Sequence, residues 1–286
     1  MSPQGTNFKS KYKLRANGKV LNLVRPAVMG IINLTPDSFY DGGTLNSQEA
    51  VLQRADKYIN EGATILDLGA VSTRPGAKEV SEDEELRRLL PALKLLRNTF
   101  PGIFISVDTH RSVVALAAAE EGADMINDIS GGTFDKEMFN VVAQTKLPYV
   151  LMHIQGTPQK MQQNPKYKNV SKEVFDFLKG QIKKAKAWGI KQIITDVGFG
   201  FGKTVGHNFT LLRDLKKFEK LNCAMLIGLS RKSMVNKILD IKSADALNGT
   251  TVLHTIALLN GANILRVHDV KEAIEVIKLT EAARIK

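Results

Sequence analysis

What most constrains this chain is a pattern that recurs eight times: a short apolar run, rich in β-branched residues, that stops on hydrogen-bonding side chains. Residues 28–43, VMGIINLTPDSFYDGG, set the type. The run from Val28 to Ile32 reads as a buried strand. It then meets Asn33, Thr35, Pro36, Asp37 and Ser38, and finally Asp41-Gly42-Gly43. One such ending would mean little, because Asx and Gly residues form turns for local reasons. Repetition at every strand end is harder to explain by turns alone.

The strand-like runs cover Ala27–Asn33, 64–67, 103–108, 125–129, 149–153, 192–196, 224–229 and 263–267. Helix-like segments alternate with them, among them 47–61, 81–99, 112–121, 171–188 and 244–260. Alternation of this kind implies parallel strands joined by right-handed crossovers. Eight units in 286 residues favour closure into an α/β fold of TIM type, a (β/α)8 barrel. Upstream, Asn17-Gly18 sits between two alternating stretches and predicts an N-terminal β-hairpin. Residues 1–10 read as a flexible terminus and 11–286 as a single domain.

Composition excludes some function classes. No apolar run approaches the ~20 residues of a membrane span, and the polar start MSPQGTNFKSKYK lacks the core of a signal peptide. With Cys223 the only cysteine there is no internal disulfide, which fits a reducing cytoplasm. The net charge of +11 raises the question of nucleic acid. The basic residues concentrate only in 179–191 and 213–220, which read as wet faces of amphipathic helices, without interleaved aromatics. No nucleic acid and no membrane is expected as a partner. Small anionic substrates suit the charge better.

In a closed barrel the site forms where strand C-termini feed their loops. Those ends supply Asn33, Asp67, Asp108, Asn127 with Asp128, His153 with Gln155, Asp196, Ser230-Arg231-Lys232, and Arg266 with His268-Asp269. Asp108, Asn127, Asp196 and Lys232 form a set that a nitrogen heterocycle would want. A carboxylate accepts two adjacent N–H groups, Asn gives and takes, and Lys donates. An Asp196–Lys232 ion pair in the core is the plainer alternative. Asn33, Arg266 and His268 suit an oxyanion, and Asn33 can also ligate a hard cation such as Mg²⁺. The stretch 198–204, GFGFGKT, looks like a phosphate loop but fails the Walker spacing, and it fails the dinucleotide fingerprint too. It reads instead as a loop whose glycines let backbone approach a flat ligand, with Phe201 offering a face. His110, His207 and His254 share no ligand spacing, so no zinc site is expected.

Eight motifs, in order, resemble those of dihydropteroate synthases: MGIINLTPDSFYDGG (29–43), STRPGA (72–77), SVDTHR (106–111), INDISGG (126–132), LMHIQGTP (151–158), DVGFGFGK (196–203), GLSRKSM (228–234) and RVHDV (266–270). The resemblance implies an enzyme of folate biosynthesis, a sulfonamide target. It would join 6-hydroxymethyl-7,8-dihydropterin diphosphate to p-aminobenzoate, by an SN1-like path, as a homodimer with Mg²⁺. It implies that Asp108, Asn127, Asp196 and Lys232 hold the pterin, with Met152 and Phe201 against its ring. Asn33, Arg266 and His268 would hold diphosphate, Asn33 also the metal. Phe39, Thr73, Arg74, Pro75 and Ser230 would hold p-aminobenzoate. The chain departs from the pattern at Ala70-Val71, where the family carries Gly then Glu or Gln, and at Val197, where it carries Pro. The neighbouring alternatives are a pterin-dependent corrinoid methyltransferase domain and a non-catalytic pterin-binding barrel.

Overall fold

The computed structural model describes residues 10–34, 46–72 and 80–284. The eight recurring runs form β3 (Ala27–Asn33), β4 (Ile65–Gly69), β5 (Phe104–Asp108), β6 (Met125–Asp128), β7 (Tyr149–Met152), β8 (Ile193–Asp196), β9 (Ala224–Ile227) and β10 (Ile264–Val267). They close in the order β10-β3-β4-β5-β6-β7-β8-β9, every pair parallel. The strands read as apolar runs because both faces are covered, one by the barrel interior and one by helices. Those helices are α1 (Asn46–Glu61), α2 (Glu82–Thr99), α3 (Ser112–Glu120), α4 (Met138–Thr145), α5 (Val170–Ala187), α6 (Val205–Arg213), α7 (Ser233–Leu239), α8 (Leu247–Leu259) and α9 (Val270–Ala283).

The N-terminal hairpin joins β1 (Lys13–Ala16) to β2 (Lys19–Asn22). Asn17 and Gly18 have φ of 48° and 74°, the two positive values a tight type I′ turn needs. Asn17 donates to Ala123 O (2.9 Å) and Asp124 Oδ1 (3.0 Å), and Gln192 bonds both backbone groups of Arg15. Buried Asp124 also pairs with Lys19 (2.9 Å) and Arg97 (2.5 Å). These bonds dock the hairpin against the segments that enter β6 and β8, so it covers the N-terminal end of the barrel. The opposite rim is left for chemistry.

Several boundaries differ from the sequence expectation. The fourth strand runs to Gly69 rather than ending at 67, so Asp67 lies a layer inside the rim. The expected helix 244–260 breaks at Ala246, into a 3-10 turn (Ser243–Asp245) and α8. The basic stretch 213–220 is the end of α6 followed by a 3-10 helix, Leu215–Leu221. Residues 1–9, expected to be flexible, and residues 35–45 and 73–79 lie outside the described residues.

Candidate active site

Strand register stacks the polar side chains in two layers. Asn33, Gly69, Asp108 and Asn127 form one row across β3 to β6. One layer inward, Ile31, Asp67, Ser106 and Met125 form the next. Gly69 leaves Asn33 and Asp108 facing each other across the gap; a Cβ there would lie 3.8 Å from Asn33 Oδ1 and 3.9 Å from Asp108 Oδ2. Successive strand residues point to opposite faces, which separates Asn127 from its neighbour. Asp128 is turned away and ties the following loop, accepting from Ser130 N (2.7 Å), Gly132 N (2.8 Å) and Tyr149 Oη (2.5 Å).

Arg266 enters from β10 and joins the two layers. Its Nε donates to Asp67 Oδ2 (2.6 Å) and its Nη2 to Asp108 Oδ2 (2.7 Å). Asn127 Nδ2 lies 3.3 and 3.4 Å from the Asp67 oxygens. Burial pushes the Asp108 carboxyl up to about 7, against the pull of Arg266 and with Asp67, Glu85 and Asp128 adding to the rise. Burial would lower the Arg266 guanidinium, but Asp67 and Asp108 outweigh it and hold it protonated. A fully buried carboxylate thus aims an arginine and an amide at once, a role the sequence reading did not give Asp67. The missing signal was depth, since a strand end one residue longer or shorter looks the same in sequence.

Across the cavity, Asp196 is buried and accepts Gly198 N (2.7 Å). Burial raises its carboxyl, while Lys232, Gly198 N, Lys203 and Arg266 pull it down. The core ion pair does not form: Lys232 Nζ donates to Phe199 O and sits 4.5 Å over the Phe201 ring. Burial brings the Lys232 ammonium down to about 8, with Asp196 opposing. Met152 lies beside Asp196 in register. With Ile129, Ile154 and Met161 it makes an apolar cluster separate from the main core, and Phe201 packs on it. This is a flat apolar wall beside polar, edge-reading groups.

Next to Arg266, His268 is stapled to Ser230. The Ser230 Oγ accepts from His268 N (3.2 Å) and stands 3.1 Å from its Nδ1. The hydroxyl can accept a second bond or donate one, so its role toward Nδ1 follows the imidazole tautomer. Tyr58 Oη fixes the His268 carbonyl (3.0 Å). Arg231 turns away and clamps both Asp269 oxygens at 2.8 Å. Thus Asn33, Asp108, Asn127, Met152, Asp196, Phe201, Ser230, Lys232, Arg266 and His268 all belong to the C-terminal rim. Phe39, Thr73, Arg74 and Pro75 lie outside the described residues. Ala70 is buried and is not among the residues with positive φ; its carbonyl accepts from Arg88 (3.3 Å). A cavity of about 530 Å³ at the other end of the barrel, lined by Tyr12, Cys223 and Asn263 among others, gathers no comparable set.

Residues 29–268 match the family of pterin binding enzymes. The dihydropteroate synthase of Escherichia coli is 44% identical over 94% of this chain and 96% of its own length. The chain belongs to the dihydropteroate synthase family. The fold agrees: the Yersinia pestis dihydropteroate synthase, solved as a sulfonamide drug complex, superposes with a TM-score of 0.90. It is 42% identical and covers 96% of this chain and 99% of that one. The Xanthomonas albilineans dihydropteroate synthase with 4-aminobenzoic acid gives a TM-score of 0.90 at 38% identity, covering 96% of this chain and 98% of its own. Membership makes the chain a transferase of folate biosynthesis and sets aside both the corrinoid methyltransferase and the non-catalytic barrel. Among the described residues no helix is long and apolar enough to cross a membrane.

Proposed function

We propose that this chain condenses 6-hydroxymethyl-7,8-dihydropterin diphosphate with p-aminobenzoate, releasing diphosphate and forming 7,8-dihydropteroate. The observation that carries the reading is the pairing of edge-reading groups (Asp108, Asn127, Asp196, Lys232) with an apolar wall (Ile129, Met152, Phe201) at one rim. In this reading Asp196 accepts the N–H donors of the pterin's pyrimidinone edge, and Asp108 and Asn127 hold its other ring. Lys232 donates to the heterocycle, which lies against Met152 and Phe201. Arg266, His268 and Asn33 face the diphosphate. Ser230 borders p-aminobenzoate, together with Phe39, Thr73, Arg74 and Pro75.

The carbon–oxygen bond at the pterin methylene breaks first, and its electron pair leaves with diphosphate. The resulting positive charge spreads into the pterin, beside Asp108 and Asp196. The amine of p-aminobenzoate then forms the carbon–nitrogen bond and loses a proton. Arg266, already oriented by two carboxylates, needs no reorganisation as charge builds on the leaving group, the condition under which such donors contribute most. Among the described residues no three His, Cys, Asp or Glu side chains cluster to hold a metal. The donor set instead offers one amide oxygen, Asn33 Oδ1, near the mouth. That fits Mg²⁺ arriving on the diphosphate, because Mg²⁺ keeps water and substrate phosphate ligands. When bound it would supply charge neutralisation for the departing diphosphate. The test is turnover with labelled p-aminobenzoate: dihydropteroate forms, and removing Mg²⁺ with chelator stops it. Scrambling of ¹⁸O from bridge to terminal phosphate positions without p-aminobenzoate is expected from the stepwise path; its absence would sink that path.

The raised Asp108 carboxyl sets a pH dependence. Ionised Asp108 is the form that pairs with Arg266 and accepts from the pterin, so kcat/KM rises with pH through about 7. Its effect on stability has the opposite sign. The folded pKa lies above the ordinary 3.8, so this group's stabilisation is full at low pH and lost as pH rises through about 7. A profile of kcat/KM flat from about pH 5.5 to 8 would contradict the assignment.

We also place the enzyme in the cytoplasm as a homodimer. Val252, Ile256 and Leu259 share one exposed face of α8, beside exposed Ile238 and Leu239 of α7. Contiguous apolar surface of this kind marks association sites. Sedimentation equilibrium should give twice the chain mass, and a monomer at micromolar concentration would remove the dimer. Recovery in a membrane or secreted fraction would remove the cytoplasmic placement.

A further inference from the structure

Lys203 ends the glycine-rich loop that looks, in sequence, like a phosphate binder. In the fold it points inward and is only 2% exposed. Its Nζ lies 2.8 Å from Gly198 O, 2.9 Å from Phe201 O and 2.9 Å from His153 Nδ1, with His153 O farther off at 3.3 Å. The Gly198 and Phe201 carbonyls can only accept, so Nζ donates to both, while the imidazole Nδ1 donates or accepts according to its tautomer. Burial, with Lys232 nearby, lowers the Lys203 pKa well below that of an ordinary lysine, and Asp196 opposes the shift. Burial first, and Lys203 second, hold the His153 imidazole neutral.

The loop therefore hangs between two lysines. Lys203 takes the carbonyls of Gly198 and Phe201 from behind, while Lys232 takes the Phe199 carbonyl from the cavity side and lies over the Phe201 ring. The loop also presses on the segment after β7: a Cβ on Gly198 would fall 1.9 Å from His153 O, and one on Gly202 2.4 Å from Gln155 O. Gln162 to Gly200 O (2.5 Å) and Tyr167 to Gly202 O (2.9 Å) are outer stitches.

We infer that Lys203 is a positioning residue for the pterin site: its buried Nζ, donating to Gly198 O and Phe201 O, sets the carbonyl pattern of residues 198–201, which aims Lys232 and the Phe201 ring at the pterin. The inference rests on the pterin reading of this rim. Deleting the donor while keeping the side chain's length isolates the effect, so Lys203→Met is the test. It should weaken binding of 6-hydroxymethyl-7,8-dihydropterin diphosphate by about 30-fold or more, the scale of leaving a buried carbonyl without its donor. The KM for p-aminobenzoate should move less than about threefold, as for a subsite the clamp does not touch. Tyr167→Phe, which removes an outer stitch only, should leave pterin binding within the same narrow range.

Lys203 as mere structural filling would lower the folded, active fraction and hence kcat per total protein, with the KM for pterin diphosphate unchanged; that result overturns the inference. Failure of the unmodified chain to bind pterin diphosphate would instead overturn the pterin reading itself. If Lys203→Met does not fold, ¹⁵N-lysine spectra of the unmodified protein decide. Slowly exchanging Lys203 Nζ protons in contact with the His153 ring support the clamp, and their absence refutes it.

Discussion

Asp196→Ala is expected to remove nearly all affinity for pterin diphosphate, on the order of 10²–10⁴-fold, from the roughly 3–5 kcal/mol cost of breaking a buried charge interaction. The carboxylate is buried at the end of β8, has Lys232 and Lys203 acting on it from two sides, and accepts Gly198 N. Its loss leaves the pterin's N–H donors unpaired in an apolar surround, and it removes the main support for the Lys232 charge. Asp196→Asn separates recognition from folding. The amide oxygen keeps the Gly198 bond, yet its NH2 group meets the ligand's donors head-on, so binding should fall nearly as far. Titration calorimetry reads both variants. Near-normal affinity in Asp196→Asn would move the pterin elsewhere.

Arg266→Ala should reduce kcat/KM by about 10²–10³, the 2.7–4 kcal/mol scale of a lost preorganised oxyanion donor. Its effect spreads beyond the leaving group because Asp67 and Asp108 share this one guanidinium. Without it the Asp108 carboxyl, already raised by burial, loses the pull that opposes the rise and goes up further. The KM for pterin diphosphate should therefore climb and the acid limb of the profile shift upward. The KM for p-aminobenzoate should change little. Arg266→Lys should not rescue, because a point charge cannot bridge two carboxylates as a planar fork does. A wild-type rate in either variant would show that the diphosphate binds away from β10.

The barrel was legible because each strand announces its C-terminal end twice, by an apolar run and by the polar residue that stops it. The hairpin was legible for a similar reason, since Asn17-Gly18 suits only a turn with two positive φ values. Depth was not legible. Asp67 looked like one more strand end, and only the register of β4 with β5 puts it beneath Asp108, where it governs Arg266. Orientation off a glycine-rich loop was hidden too. The sequence ruled out a phosphate loop on spacing, but nothing in GFGFGK says that the lysine turns back under its own backbone. The break at Ala246 was missed because Ala and Leu are good helix formers on both sides. There the chain is held by Arg231, which takes the carbonyls of Ser243 and Ala244 at 3.1 and 2.7 Å.

A crystal structure of this chain with 7,8-dihydropteroate bound tests the central claim most directly. The account predicts the pterin's amino-pyrimidinone edge within hydrogen-bonding distance of Asp196, its ring against Met152 and Phe201, and the benzoate near Ser230. Product bound in the cavity of Tyr12, Cys223 and Asn263 at the far end of the barrel, with the rim empty, would contradict it.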